Sequence, residues 1–301
     1  MKIYAPKYYS KFKCISSKCT HSCCIGWEID VDKATLRKYK TCKHPYAKDV
    51  FKSIAKKPTP HFKLCKNGNC PHLDENGLCK VISNLGENYL CNICKEHPRF
   101  YNQTPYGLEV GLGVSCEEAC RIILNSNDFN LFEEVEKDAS PIDKFDFNPI
   151  PLRNQILDII ARKDLNYQEK IQIISNEFSI SIQSISDKNW KNLLNSLEYL
   201  DNSHKELFLC FTTTYLPTQD KQIYLERILA YFVYRYVSKA RSLEEIKQYL
   251  GLCMFLEKLV CSLIESKNAS NLEEIIPLII SVSEEIEYSE DNIDEILFDL
   301  I

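Results

Sequence analysis

The chain has 301 residues, 45% hydrophobic and 26% charged, which supplies apolar material for a real core and an ordinary globular surface. A net charge of −5 argues against a nucleic-acid binder held by bulk electrostatics. No run approaches the roughly 18 apolar residues of a membrane helix; the nearest, ILAYFVYRYV, is short and carries Arg235. The start, MKIYAPKYYSKFK, lacks the apolar centre and cleavage site of a signal peptide, so a cytoplasmic location with reduced thiols and no membrane partner is expected.

In chain order, the first dense stretch is CISSKCTHSCCIGWEID, residues 14–30, with Cys14, Cys19, Cys23 and Cys24. Cys19 and Cys23 are four apart, so one helical turn would aim both thiols the same way, with Cys24 turned aside and Gly26 releasing the chain. DVDKATLRKYK predicts a helix capped by Asp30 or Asp32, with Leu36 and Tyr39 on one face. The segment KNGNCPHLDENGLCKVISNLGENYLCNICKEHPRFY is broken by Asn-Gly steps and by Pro71 and Pro98. It can bury little apolar area and needs another source of order, for which metal ligation is the obvious candidate. Within it Cys70 and Cys79 flank the Asn76–Gly77 turn as a knuckle-like hairpin. LEVGLGVSC carries Gly111-x-Gly113, read as a turn and not as a nucleotide loop, because no strand–helix repeat surrounds it. SCEEACRIIL predicts a helix with Ser115 and Glu118 as a capping box and Cys116 at its start, where the helix favours a thiolate.

Residues 126–150, with Pro141 and Pro149, read as a linker. Beyond it LRNQILDIIARK, YQEKIQIISNEF, WKNLLNSLEYL, IYLERILAYFVYRYVSKA, LEEIKQYLGLCMFLEKLVCSLIESK and NLEEIIPLIISVSEEI carry apolar residues at three and four positions, the stripe of a helix packed on helices. The predicted class is mainly α: a loop-rich cysteine domain at 1–125 packed on an α-helical domain at 151–301.

Twelve of the fifteen cysteines lie within residues 1–120. Disulfides need an oxidising compartment, which the missing export signal argues against. Cys210, Cys253 and Cys261 sit in apolar helical patterns and read as buried free thiols. The others sit among polar turn residues, which leaves ligation of zinc or of an iron–sulfur cluster. Only Cys91-x2-Cys94 has zinc-knuckle spacing, and neither the ferredoxin run nor a C-x3-C-x2-C triplet occurs, since Cys19-x3-Cys23 is followed by Gly26 and Cys116-x3-Cys120 by Ile123. Spacing therefore gives a metal centre without choosing the metal. His21 could join it, whereas His44, His61, His72 and His97 read as surface or loop residues.

Together, FKCISSKCTHSCCIGWEIDVD with LRKY, CPHLDENGLCKVISNLGENYLCNIC, HPR and VSCEEACRIIL resemble the flagellin lysine-N-methylase family, and within it the wider signature of zinc- or iron-chelating cysteine-cluster proteins. The resemblance covers roughly residues 1–125, with a fainter match around YLERILAYFVYR. It implies a metal ligand set of Cys14, Cys19, Cys23, Cys24, Cys70, Cys79, Cys94 and Cys116, and leaves Cys42, Cys65, Cys91 and Cys120 outside. It further implies methylation of lysines on flagellin or another surface protein, with S-adenosylmethionine as donor and a [4Fe–4S] cluster, zinc being the alternative metal. Trp27 and Arg99 are candidates for holding the methyl donor, by stacking on adenine and by pairing with its carboxylate. Glu28 and Asp30 are candidate bases for the lysine; no other catalytic residue is assigned. The rival readings are a non-enzymatic metal-chelating module and an electron-transfer protein.

Overall fold

Local chemistry sets most of the element boundaries. In the computed structural model, which describes residues 2–137, 144–180 and 186–300, β1 (Lys2–Pro6) is followed by β2 (Ile29–Asp30), α1 (Lys33–Thr41), α2 (Pro45–Lys52), β3 (Ile54–Ala55), β4 (His61–Phe62), α3 (Lys80–Leu85) and α4 (Asn92–Glu96). Then come β5 (Arg99–Thr104), β6 (Gly107–Leu112), α5 (Glu117–Leu124), β7 (Phe132–Lys137), α6 (Ile150–Ala161), α7 (Tyr167–Phe178), α8 (Asp187–Ser196) and α9 (Asn202–Phe208). The last are α10 (Gln219–Tyr236), α11 (Leu243–Ser266), α12 (Leu272–Val282), a π-helical turn at Ser283–Glu287 and α13 (Glu290–Asp299). The chain is mainly α. Among the described residues no helix is long and apolar enough to cross a membrane.

Contacts divide the chain into Lys13–Arg99 and a second unit of Met1–Phe12 with Phe100–Ile301. The expected division at 125 and 151 thus differs from the observed one, and part of the expected linker lies outside the described residues. The reason is burial: Leu112, Val114, Ala119, Cys120, Ile123 and Leu124 enter the same core as the later helices.

In the second unit α10 and α11 form the centre. Sixteen residues of α11 are buried, including Leu250, Phe255, Leu259 and Leu263, as befits a helix enclosed on nearly all sides. Trp190 of α8 stacks on Phe255 with ring centroids 4.5 Å apart and tilts against Phe211. A four-stranded sheet in the order β5-β6-β1-β7 completes the unit, β1 running parallel to β6 and antiparallel to β7. Gly111 lies inside β6 and not in a turn: a Cβ there would meet the Phe100 ring at 2.2 Å. Arg153 of α6 forms a bidentate pair with Glu109 of β6, at 2.8 and 2.9 Å, and its guanidinium lies over the Phe132 and Tyr234 rings.

The expected Ser115–Glu118 capping box is not formed. Cys116 is the N-cap of α5 without a side-chain cap bond, because Ser115 donates to the Tyr288 hydroxyl (2.9 Å) and Glu118 pairs with Arg121 (2.9 Å). A capping box does form at α7, between Asn166 and Glu169.

Unit 13–99 has a small core of Ile29, Val31, Tyr39, Val50, Ile54, Phe62 and Val81, beside the three-stranded sheet β2-β4-β3. His61 and His72 are buried, contrary to the surface reading. His72 is enclosed by Tyr46, whose hydroxyl is 2.9 Å from Nδ1, and Ser53, whose hydroxyl is 2.9 Å from Nε2; burial lowers its pKa to about 4, so the ring is neutral.

Candidate metal centre

Three backbone devices bring cysteines together in unit 13–99. First, Gly26, at φ +92 where an L side chain is strained, lets residues 24–26 turn onto residues 68–70. Its N–H donates to Gly68 O (3.0 Å), Ile25 bridges Asn69, and the Cys70 N–H donates to Cys24 O at 2.8 Å. Second, Asp74 closes the 74–78 turn by accepting from the Asn76 and Leu78 amides at 2.9 and 2.8 Å, and Leu73 then pairs with Cys79. The expected knuckle between Cys70 and Cys79 is therefore present, with Cys79 as the N-cap of α3. Third, Asp32 caps α1 through the Thr35 amide (2.9 Å) and accepts the Asn92 amide (3.0 Å), so one carboxylate ties α1 to the start of α4, where Cys91 is N-cap and Cys94 lies in the first turn.

The result is a patch of five sulfurs. Cys70 and Cys91 are buried, and Cys24, Cys79 and Cys94 pack on the same small core. They feel one another electrically. A hydrogen bond from Cys94 holds the Cys91 thiol pKa down and raises that of Cys94, so the pair shares a proton. The Cys23 thiol brings Cys24 to about 7 against the opposing effect of burial. Burial pushes Cys70 up to about 11 and also raises Cys79. Among the described residues no three Cys, His, Asp or Glu side chains converge on one point as ligands of a single ion would.

The remaining expected residues are distributed as follows. Cys14 is exposed, its sulfur accepting from the Ser16 amide at 3.4 Å. The Cys19 thiol donates to His21 O at 3.0 Å. The helical turn expected to align Cys19 with Cys23 is absent: a 3-10 turn at Ser16–Lys18 closes first, and Cys19 leaves it extended at φ −71, ψ 128. Cys116 belongs to the other unit. The Trp27 indole donates to Cys23 O at 2.9 Å and meets the His97 ring edge-on at 6.1 Å. An Arg99 guanidinium nitrogen is 3.5 Å from Lys95 O, just behind Cys94. Glu28 lies 3.5 Å from His61 Nε2, and Asp30 accepts from Thr59 at 3.2 Å. Cys91, left outside the expected ligand set, is central to the patch; its C-x2-C spacing to Cys94 was the available signal.

A mainly α chain with a cysteine patch on a small separate unit is the class of protein these features define. The chain belongs to the FliB lysine N-methylase C-terminal domain family, whose sequence model matches residues 111–300. That match lies on the helical part, where the resemblance read from motifs was faint. Over 172 residues, 54% of this chain and 42% of the relative, it is 30% identical to the Lysine-N-methylase of Salmonella typhimurium (strain LT2). Over 130 residues, 41% of this chain and 77% of the relative, it is 33% identical to the Flagellar biosynthetic protein FliU of Salmonella muenchen. The chain thus spans about two fifths of the length of the lysine-N-methylase it matches. No solved structure matches.

Proposed function

We propose that the chain is a protein-lysine N-methyltransferase acting on flagellin or another flagellar protein, with S-adenosylmethionine as donor and a [4Fe–4S] cluster held by the cysteine patch. The observation that carries this reading is the gathering of Cys24, Cys70, Cys79, Cys91 and Cys94 on one small core, in a chain whose helical part belongs to a lysine N-methylase family. The fit is chemical: soft thiolates on short helix starts and tight turns are the donors that iron–sulfur groups take.

When bound, such a cluster would supply an electron-rich iron centre with Lewis acidity. The chain's own residues do the rest. Asp32 fixes α4 and hence Cys91 and Cys94, and the paired backbones at 24–26 and 68–70 fix Cys24 and Cys70. Trp27 and Arg99, anchored beside Cys23 and α4, offer an aromatic face and a guanidinium for an adenine ring and a carboxylate. A lysine ammonium, with an ordinary pKa of about 10.4, must lose a proton before its nitrogen can take a methyl group.

The test is methyl transfer by anaerobically purified, cluster-loaded protein to flagellin, read by mass spectrometry of flagellin peptides. Lysines gaining single methyl groups, only when the donor is present, are expected. A cluster-loaded protein that leaves flagellin unmodified would overturn the reading in favour of an electron-transfer or chelating module.

A further inference from the structure

In the helical unit a cavity of about 330 Å³ opens beside α7 and α11. Buried Tyr167, Met254, Glu257 and Lys258 line its depth, half-buried Ile171 lines a side, and Leu216, 61% exposed, stands at its rim. Glu257 is only 3% exposed, and its carboxylate accepts a hydrogen bond from the Tyr167 hydroxyl at 2.5 Å. The neighbouring Lys258 directs its ammonium to the Tyr215 carbonyl. Among the described residues no basic side chain forms an ion pair with Glu257.

A carboxylate this deeply buried, with no ion-pair partner among the described residues and only the neighbouring Lys258 ammonium to offset its charge, is costly unless something else requires it. Its lining combines one carboxylate steadied by a phenol, the Lys258 side chain, apolar walls from Ile171, Met254 and Leu216, and the amides of Gln168 and Gln172 along α7. Methylenes suit such walls, and a primary ammonium suits the carboxylate. The volume lies at the small end of ligand pockets and suits one long side chain. The cavity also falls within residues 111–300, the part that matches the lysine N-methylase family.

We propose that this cavity receives the side chain of the acceptor lysine, and that Glu257 takes the proton from its ammonium. The inference rests on the function proposed above. The step is a proton transfer: the N–H bond of the ammonium breaks, its electron pair stays on nitrogen as the nucleophilic lone pair, and the Glu257 carboxylate becomes the carboxylic acid, later returning the proton to water. Burial raises Glu257 to about 7, so it is a stronger base than an ordinary carboxylate while still ionised in part at neutral pH. Tyr167 from α7, and Lys258 and Cys261 from α11, are the titratable groups that face it.

The chain holds two methionines, Met1 and Met254, so ¹³C-methyl labelling of methionine places one of two signals inside the cavity. The experiment titrates the full chain with Nα-acetyl-lysine amide and, separately, with Nα-acetyl-norleucine amide, which has the apolar stem but no amine. A saturable shift of the Met254 signal with the lysine probe is expected, with Glu257→Gln weakening it roughly tenfold to a hundredfold, the range of a hydrogen bond to a charged group. Ile171→Trp, which leaves Glu257 in place but fills the space, should abolish the shift. An unmoved Met254 signal, an equal response to the norleucine probe, or unchanged binding by a folded Glu257→Gln chain would overturn the proposal. The readout needs neither metal nor methyl donor. Probe binding by a chain that cannot methylate flagellin therefore contradicts only the function proposed above, and methylation by a chain that does not bind the probe contradicts only this inference.

Discussion

Arg153 and Glu109 form a bidentate, almost fully buried pair in the helical unit, at 2.8 and 2.9 Å. Removing one partner strands the other charge away from water. Arg153→Ala is expected to cost about 3–5 kcal/mol in thermal or denaturant unfolding, and adding Glu109→Leu to Arg153→Met should recover most of it. A single substitution costing less than about 1 kcal/mol would show that the pair is solvated and contributes little. Such pairings are not legible in sequence, because nothing near Glu109 or Arg153 announces the other. Cysteine density among polar turn residues is legible in sequence, and of the eight cysteines the resemblance implies, Cys24, Cys70, Cys79 and Cys94 share one patch, whereas Cys14 and Cys23 are exposed and Cys116 belongs to the other unit. Cys91 lies outside the set the resemblance implies, although its C-x2-C spacing to Cys94 is visible in sequence. The burial of His72 is not legible in sequence because the aromatic and hydroxyl groups that enclose it come from Tyr46, Ser53 and Phe62, distant in the chain.

Among elements, the start of α1 was readable because capping is local: of the two expected caps, Asp30 and Asp32, the Asp32 cap is observed. Asp32 also holds α4, so Asp32→Ala should cost about 1–2 kcal/mol, the upper part of the usual cap range, and should speed loss of bound metal. Hydrogen exchange at α1 and α4 would check it; unchanged protection at α4 would refute the second role. The first turn of α9 offers a pH test. Hydrogen bonding to Glu285, at 2.7 Å, raises the pKa of His204. A raised value means the folded state holds the proton more tightly, so the stabilisation is full below the ordinary 6.5 and is lost as pH rises through the raised value. The stability gap between the native chain and His204→Gln should shrink across that window, and a gap independent of pH would exclude the charged pair. The β-sheet escaped the pattern reading. β1 pairs with β6 and β7 from far along the chain, and such pairing leaves no local periodicity. The Ser115–Glu118 box fails because Ser115 takes a distant partner, Tyr288, while Glu118 pairs with Arg121 on its own helix.

For the whole molecule, helical periodicity made the mainly α class legible, while the division into units was not, because the first twelve residues join the helical unit through β1. The two units are expected to differ in what holds them. Unit 13–99 has short helices and a small core, so chelation should erase its exchange protection, whereas α10 and α11 keep theirs from the large apolar core. Whether the cysteine patch binds the proposed iron–sulfur cluster is decided by iron and acid-labile sulfide analysis, with the visible spectrum, of anaerobically purified chain beside Cys91→Ala and Cys253→Ala. A brown native chain with iron and sulfide in near-equal amounts is expected, retained in Cys253→Ala and lost in Cys91→Ala. A colourless native chain carrying stoichiometric zinc, or a Cys91→Ala chain with undiminished iron and sulfide, would contradict it.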